Sequence, residues 1–222
     1  MELIQDKSTA IIPEGEYDVA SNTVLRRGQV VVLTDGKVTA ADASQSGAIL
    51  GICLENHTGE AFYLDPRANG VRIRVADGPN TIFACPAPVI TATGGSTTTV
   101  ADTALATFAD DAFNGGVLKL VARAASSTNS GAIGTVYGIS DYTGTSKTFT
   151  LDETLAGAVA AGDQYEVYPP IGSSLGSLDT NRDRLTLGSA ASDFALKVVG
   201  HDVPNGRIYL MAKIHIYASS AE

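Results

Sequence analysis

The chain has 222 residues, 44% of them apolar and 18% charged, with a formal net charge of −9 and no tryptophan. That length suits one large β domain or two small ones, and the apolar share excludes global disorder. The 15 Lys and Arg residues are scattered, with Arg26-Arg27 the closest approach to a cluster, so no nucleic-acid partner is expected: a phosphate backbone needs clustered basic side chains to displace its counterions.

Taken in chain order, residues 1–16 read as an N-terminal arm. Ile4, Ile11 and Ile12 are its apolar members and Pro13-Glu14-Gly15 breaks the run. Such an arm is either free or paired onto a neighbour. A hairpin follows, Val30 to Thr34 out and Lys37 to Ala40 back, through a two-residue Asp35-Gly36 loop. Both loop positions need positive φ, which Asp tolerates and Gly prefers. Ala48 to Leu54 is a continuous apolar run and reads as a buried strand. Val71-Arg72-Ile73-Arg74-Val75 alternates, which predicts Val71, Ile73 and Val75 inward and both arginines outward. A turn at Asp77-Gly78-Pro79-Asn80 then leads to a strand over Thr81 to Cys85.

Composition changes at Pro86-Ala87-Pro88, where a Thr/Gly/Ser-rich stretch begins, and again at Pro169-Pro170. Residues 89–170 are therefore expected to form an inserted, mainly β module. The main domain is then discontinuous, 17–88 with 171–222. Within the module we expect a short helical stretch over Asp102 to Phe113, strands over Gly116 to Val121 and Gln164 to Tyr168, and a hairpin of Thr135 to Ser140 with Lys147 to Leu151. In the C-terminal part, Phe194 to Val199 is followed by a turn at Pro204-Asn205-Gly206 and a last strand over Arg207 to Tyr217. Ile208, Leu210, Ala212, Ile214 and Ile216 alternate onto one face of that strand; Tyr209, Met211, His215 and Tyr217 fall on the other. This second face is unusually apolar for a solvated one, so it is either an interface, where aromatics and Met are enriched, or covered by the inserted module. The fold class expected is all-β.

No stretch approaches the roughly 20 apolar residues of a membrane-spanning helix, so no membrane partner is expected. The segment Met1 to Asp6 lacks the basic start and apolar core of a signal peptide, which points to folding in a reducing cytoplasm. Cys53 and Cys85 lie in apolar strand-like runs, either as neighbours in a barrel or, the favoured reading, as buried free thiols.

Several motifs with chemical potential are weighed against plainer readings. Gly172-Ser173-Ser174-Leu175-Gly176 matches a nucleophile elbow, and Asp183 or Asp202 and His201 or His215 follow in the order that a Ser-Asp-His triad requires. That chemistry needs the serine on a tight turn from strand to helix. Here prolines precede it and no helical periodicity follows, so a linker is the reading and no catalytic residue or enzyme activity is expected. His57, His201 and His215 are far apart, and Asp110, Asp111 and Asn114 fail the spacing of an EF-hand calcium loop. They read as a capped turn, and neither a metal nor a cofactor is expected. Asn56-His57-Thr58 is a formal glycosylation sequon, incidental without secretion.

The run Leu25 to Val32, the Asp35-Gly36-Lys37-Val38 return and Ile49 to Leu54 together resemble head decoration and related structural proteins of tailed bacteriophages. Ala109 to Gly116, Ile139 to Gly144 and Ala161 to Pro170 are similar to a module common in phage virion proteins. Each is a turn-plus-strand pattern of modest specificity; together they span residues 17–88 and 105–171. The resemblance implies a small β-barrel or β-tulip-like fold, trimerisation, and capsid stabilisation through the major capsid protein at capsomer junctions. The location implied is the outer surface of a virion assembled in the host cytoplasm, where an acidic protein lies away from packaged DNA. Candidate interface residues are Ile4, Ile11, Ile12, Tyr209, Met211, His215 and Tyr217. The alternative is an adhesin whose inserted module binds carbohydrate, although sugar platforms commonly use Trp and the chain has none.

Overall fold

The computed structural model describes residues 1–6 (the backbone alone for 2–6), 14–20, 23–57, 72–190 and 194–217. The chain is all-β, and there is no helix among the described residues. Strands β1 (Glu2–Asp6) and β2 (Glu14–Asp18) come first, followed by β3 (Val30–Thr34), β4 (Lys37–Ala40), β5 (Gly51–Cys53), β6 (Arg72–Ala76) and β7 (Thr81–Pro86). The middle of the chain supplies β8 (Val89–Thr91), β9 (Gly94–Gly95), β10 (Thr99–Ala101), β11 (Val117–Ala122), β12 (Val136–Thr143), β13 (Thr148–Leu151) and β14 (Gln164–Tyr168). The last elements are β15 (Ser177–Leu178), β16 (Leu185–Thr186), β17 (Leu196–Asp202) and β18 (Arg207–Ala212).

These strands form a five-stranded sheet in the order β2-β6-β5-β3-β4, a four-stranded sheet β1-β7-β18-β17, a seven-stranded sheet β8-β14-β11-β12-β13-β10-β9 and the small pair β15-β16. None of them closes into a barrel. The five-stranded sheet comes nearest: a single parallel bridge joins Val19, just past β2, to Val38 of β4, and the Ala20 N–H donates to the Val38 carbonyl at 3.1 Å. One bridge is not a ladder, so the barrel expected from the resemblance is replaced by an open sheet with a pinned edge.

The β3–β4 hairpin turns at Asp35 and Gly36, with φ of 50° and 75°, the left-handed pair that a two-residue return requires. Alternation in β6 buries Ile73 and Val75 and exposes Arg72 and Arg74 as expected; Val71 lies outside the described residues. Arg74 reaches Glu55 at 2.5 Å and Glu14 at 3.4 Å across the exposed face, and Arg72 reaches Asp18 at 3.1 Å.

Three stretches depart from expectation. Residues 102–113 form turns, not a helix. The Asp102 carboxylate accepts N–H bonds from Ala104 at 2.8 Å and Thr91 at 3.3 Å, and Asp111 takes a left-handed φ of 63°, while Phe108 and Phe113 both point into the core. The start of the segment expected as an arm is paired within its own chain: β1 runs antiparallel to β7, with Leu3 opposite Phe83, and β2 pairs with β6. The last strand stops at Ala212. There the Lys213 N–H donates to the Ala195 carbonyl at 2.7 Å, and the chain crosses to Ile49 instead of continuing the ladder.

Among the described residues, three apolar clusters fill the interior. One lies under the five-stranded sheet, one between the four-stranded sheet and its neighbours, and one within the seven-stranded sheet. They are not sealed from each other. Tyr168, from β14 of the seven-stranded sheet, is fully buried in the cluster of the four-stranded sheet, whereas Leu187, from beyond β16, is buried in the cluster of the seven-stranded one.

Candidate functional site

The candidate residues on the last strand separate once the fold is known. Tyr209 and Met211 lie half-buried within β18, flanked by β7 on one side and β17 on the other. The Tyr209 hydroxyl donates to Asp202 Oδ2 at 3.4 Å. Beyond Ala212 the alternation is lost: His215 is 5% exposed, whereas Ile214 and Ile216, expected inside, are 36% and 37% exposed, and Tyr217 is 54% exposed. The reason is the crossing at Lys213, which rotates the segment so that the odd-numbered histidine faces the core. Ile4 lies in β1, on the edge of the four-stranded sheet; Ile11 and Ile12 lie outside the described residues.

His215 is held at both ring nitrogens. Nε2 lies 2.7 Å from the Leu50 carbonyl and Nδ1 accepts the Tyr217 N–H at 3.1 Å. A carbonyl can only accept, so Nε2 carries the proton and the ring is neutral. Burial pushes the His215 pKa below its ordinary value, against the Leu50 carbonyl and the charge of Asp77, which favour the imidazolium. Next to it the Tyr17 hydroxyl donates to Asp77 Oδ2 and lies 3.1 Å from the Tyr217 hydroxyl. Burial, and then the bond to Asp77, raise the Tyr17 pKa strongly, so its phenol stays protonated. Sequence reasoning did not find Tyr17 and Asp77. The two lie far apart in the sequence and meet only through the β2–β6 pairing, where a Cβ on Gly15 would stand 2.5 Å from Asp77 Oδ2, so glycine leaves room for the pair.

A second polar cluster joins the seven-stranded sheet to the β17–β18 hairpin. Lys119 Nζ meets Glu166 Oε2 at 3.0 Å, with side chains only 15% and 18% exposed, and donates to the Val203 carbonyl at 2.9 Å. The Tyr168 hydroxyl is shared between Glu166 Oε2 at 2.6 Å and the Val203 carbonyl at 3.2 Å. Burial first, then the Glu166 bond, raise its pKa strongly. The arrangement holds protons in place between two sheets and serves as a brace.

The serine motif is not built as a nucleophile elbow. Gly172 and Gly176 have positive φ, and Ser177 opens the short β15 with no helix after it. His201 Nε2 is 2.7 Å from the Pro169 carbonyl and His215 is engaged as above; Asp202 bonds the side chain of Asn205 at 2.9 Å. Asp110 accepts the Gly144 N–H at 2.7 Å and Asp111 accepts the Asn114 side-chain amide at 2.8 Å, which makes the acidic stretch a capped turn. Among the described residues no group of three or more His, Cys, Asp or Glu side chains is placed to hold a metal ion. Both cysteines are buried free thiols in different clusters. Burial pushes the Cys85 thiol up to about 11. Asn56 of the sequon accepts the Arg27 N–H at 2.9 Å; Thr58 lies outside the described residues.

An open cleft of about 540 Å³ runs between β8 and Leu185–Gly188, with Thr91, Thr93, Asp102 and Thr186 among its polar walls. No protein-family model, curated protein or solved structure matches the chain at a significant level.

Proposed function

We propose that the chain is a virion structural protein, a decoration protein that binds the outside of a tailed-phage head and stabilises the junctions between capsomers as a small oligomer. The observation that carries the reading is the run Ile214, Ile216 and Tyr217, an exposed apolar strip on a chain of net charge −9. Backbone bonds to Ala195 and Ile49 hold it in place, so little ordering entropy is lost when it is covered. Burying such a strip contributes about 25 cal/mol per Å², and each copy then adds its share to one lattice. A ligand that binds only the expanded lattice stabilises that lattice by linkage. The turn-and-strand segments that resemble phage virion proteins support the same reading. They place no contact residue.

The test is electron microscopy of heads with and without the protein, paired with the temperature at which heads burst. Full-length protein is expected to coat heads and raise that temperature, and an Ile214→Asp/Ile216→Asp variant to stay folded yet bind weakly. Full occupancy by the variant removes the strip as the contact; failure of the full-length protein to bind heads removes decoration. The cleft beside β8 favours a second reading, a carbohydrate-binding adhesin, for which a glycan array is the direct measurement.

A further inference from the structure

We propose that Lys213–Tyr217 is an acid-sensitive latch, closed across the four-stranded and five-stranded sheets while His215 is neutral and opened when His215 takes up a proton. The segment is tied to both sides by backbone bonds. Lys213 N–H donates to Ala195 O at 2.7 Å, next to β17 of the four-stranded sheet. On the other side Ile49 N–H donates to Ile214 O and Ile216 N–H to Ile49 O, each at 3.1 Å, just before β5 of the five-stranded sheet. His215 is the one imidazole placed between these ties, and its neutral form alone satisfies both of its partners. With Nε2–H donating to Leu50 O, Nδ1 must keep a lone pair to accept the Tyr217 N–H. A second proton would sit on Nδ1 and oppose that N–H donor to donor. It would also place a charge where the side chain is 5% exposed, which is costly without a dedicated counter-ion.

The groups that face the imidazole decide whether such a counter-ion exists. From the turn after β6 comes Asp77, whose carboxylate favours the charged ring but already accepts the Tyr17 hydroxyl from β2. From the segment itself come Tyr217, whose hydroxyl is 3.1 Å from that of Tyr17, and Lys213, two residues earlier, which is itself a cation. Leu50 and Ile49 bring no charged group. Burial outweighs the Asp77 charge, so the closed form holds its proton less tightly than an exposed histidine does. The sign follows. The open form binds more protons, so the closed form is fully favoured above the ordinary histidine value of 6.5 and loses ground as pH falls below it. The loss is about tenfold in the closing equilibrium per pH unit, and it levels off once the closed form titrates too. This device stands independently of the capsid reading.

The experiment follows the backbone amides of Ile49, Ile216 and Tyr217 and the ring resonance of His215 by NMR on the full chain, from about pH 8 to about pH 5. The three amides are expected to shift together with the His215 titration. Their exchange rates, corrected for intrinsic pH dependence, should rise about tenfold per pH unit below the onset. His215→Gln retains a donor for Leu50 O but does not titrate, and should abolish the transition; His215→Phe, which loses both bonds, should leave the latch open throughout. The proposal is overturned if the amides stay protected while His215 titrates, or if His215→Gln shows the same transition through His57 or His201. Should the glutamine variant fail to fold, the coincidence of ring and amide titrations in the native chain decides alone.

Discussion

The interior of the seven-stranded sheet is aromatic where that of the five-stranded sheet is aliphatic. In the first, Phe113 packs edge-on against Phe108, Tyr142 and Phe149, with centroids 5.1, 4.8 and 5.1 Å away. In the second, Val31, Val38, Leu50, Ile73 and Val75 interlock without a buried ring among them. Two ways of building a β core follow. Short β-branched side chains fill a core by strict alternation, so every strand contributes its inward face. Rings fill it by volume and by edge-to-face geometry worth about 0.5–1.5 kcal/mol per pair beyond area, and irregular turns can deliver them. The turns that carry Phe108 and Phe113 are such a case, and the ladders around the aromatic core are themselves irregular, shifting register between Leu120 and Ala122 and between Ile139 and Asp141.

The comparison breaks most visibly at its centre. Phe113→Ala should fall in the upper part of about 3–5 kcal/mol, against about 2–5 kcal/mol for Leu50→Ala in the aliphatic cluster, because three ring contacts vanish with one side chain. Chemical denaturation of the two variants measures both, and equal costs would show that the rings pack as plain volume. A smaller effect is expected at the brace between the sheets. Lys119→Met leaves the Glu166 carboxylate and the Val203 carbonyl without their shared cation and should cost about 1–3 kcal/mol. It should also separate the unfolding of the seven-stranded sheet from that of the rest, visible as two steps in hydrogen exchange. A single cooperative step in the variant would assign the coupling to Tyr168 and Leu187 instead. The smallest effect belongs to the hairpin of the aliphatic region. A Cβ at Gly36 meets nothing within 4 Å, so Gly36→Ala costs only the left-handed backbone, about 1 kcal/mol. Thermal unfolding should register a shift of a few degrees.

Parts of the molecule were legible in the sequence in proportion to how local their causes are. The all-β class, the Asp35-Gly36 return, the burial of Ile73 and Val75 and the strand Gln164–Tyr168 all follow from turn chemistry and period-two alternation within a few residues. The helix expected over 102–113 is replaced by turns, and Asp102 shows a long-range cause. Its carboxylate bonds Thr91 on another strand as well as Ala104, which holds the start of the segment in a turn. The alternation of the last strand holds as far as Ala212, with Ile208, Leu210 and Ala212 buried, and fails beyond it. Nothing in Ile214-His215-Ile216 announces that Ala195, nearly twenty residues earlier, will capture the Lys213 N–H.

What the sequence determined by itself is therefore the local half of this protein: strands, tight turns and a net charge of −9. Tertiary structure alone decided which backbone groups meet. It placed β1 on the edge of the four-stranded sheet, pinned β2 to β4 by one bridge in place of a barrel ladder, seated Lys119 between Glu166 and Val203, and turned His215 inward. The physical reason is the same in each case. Every buried N–H and C=O must find a partner, and the partner's position depends on the packing of segments distant along the chain, which a pattern of side chains does not encode.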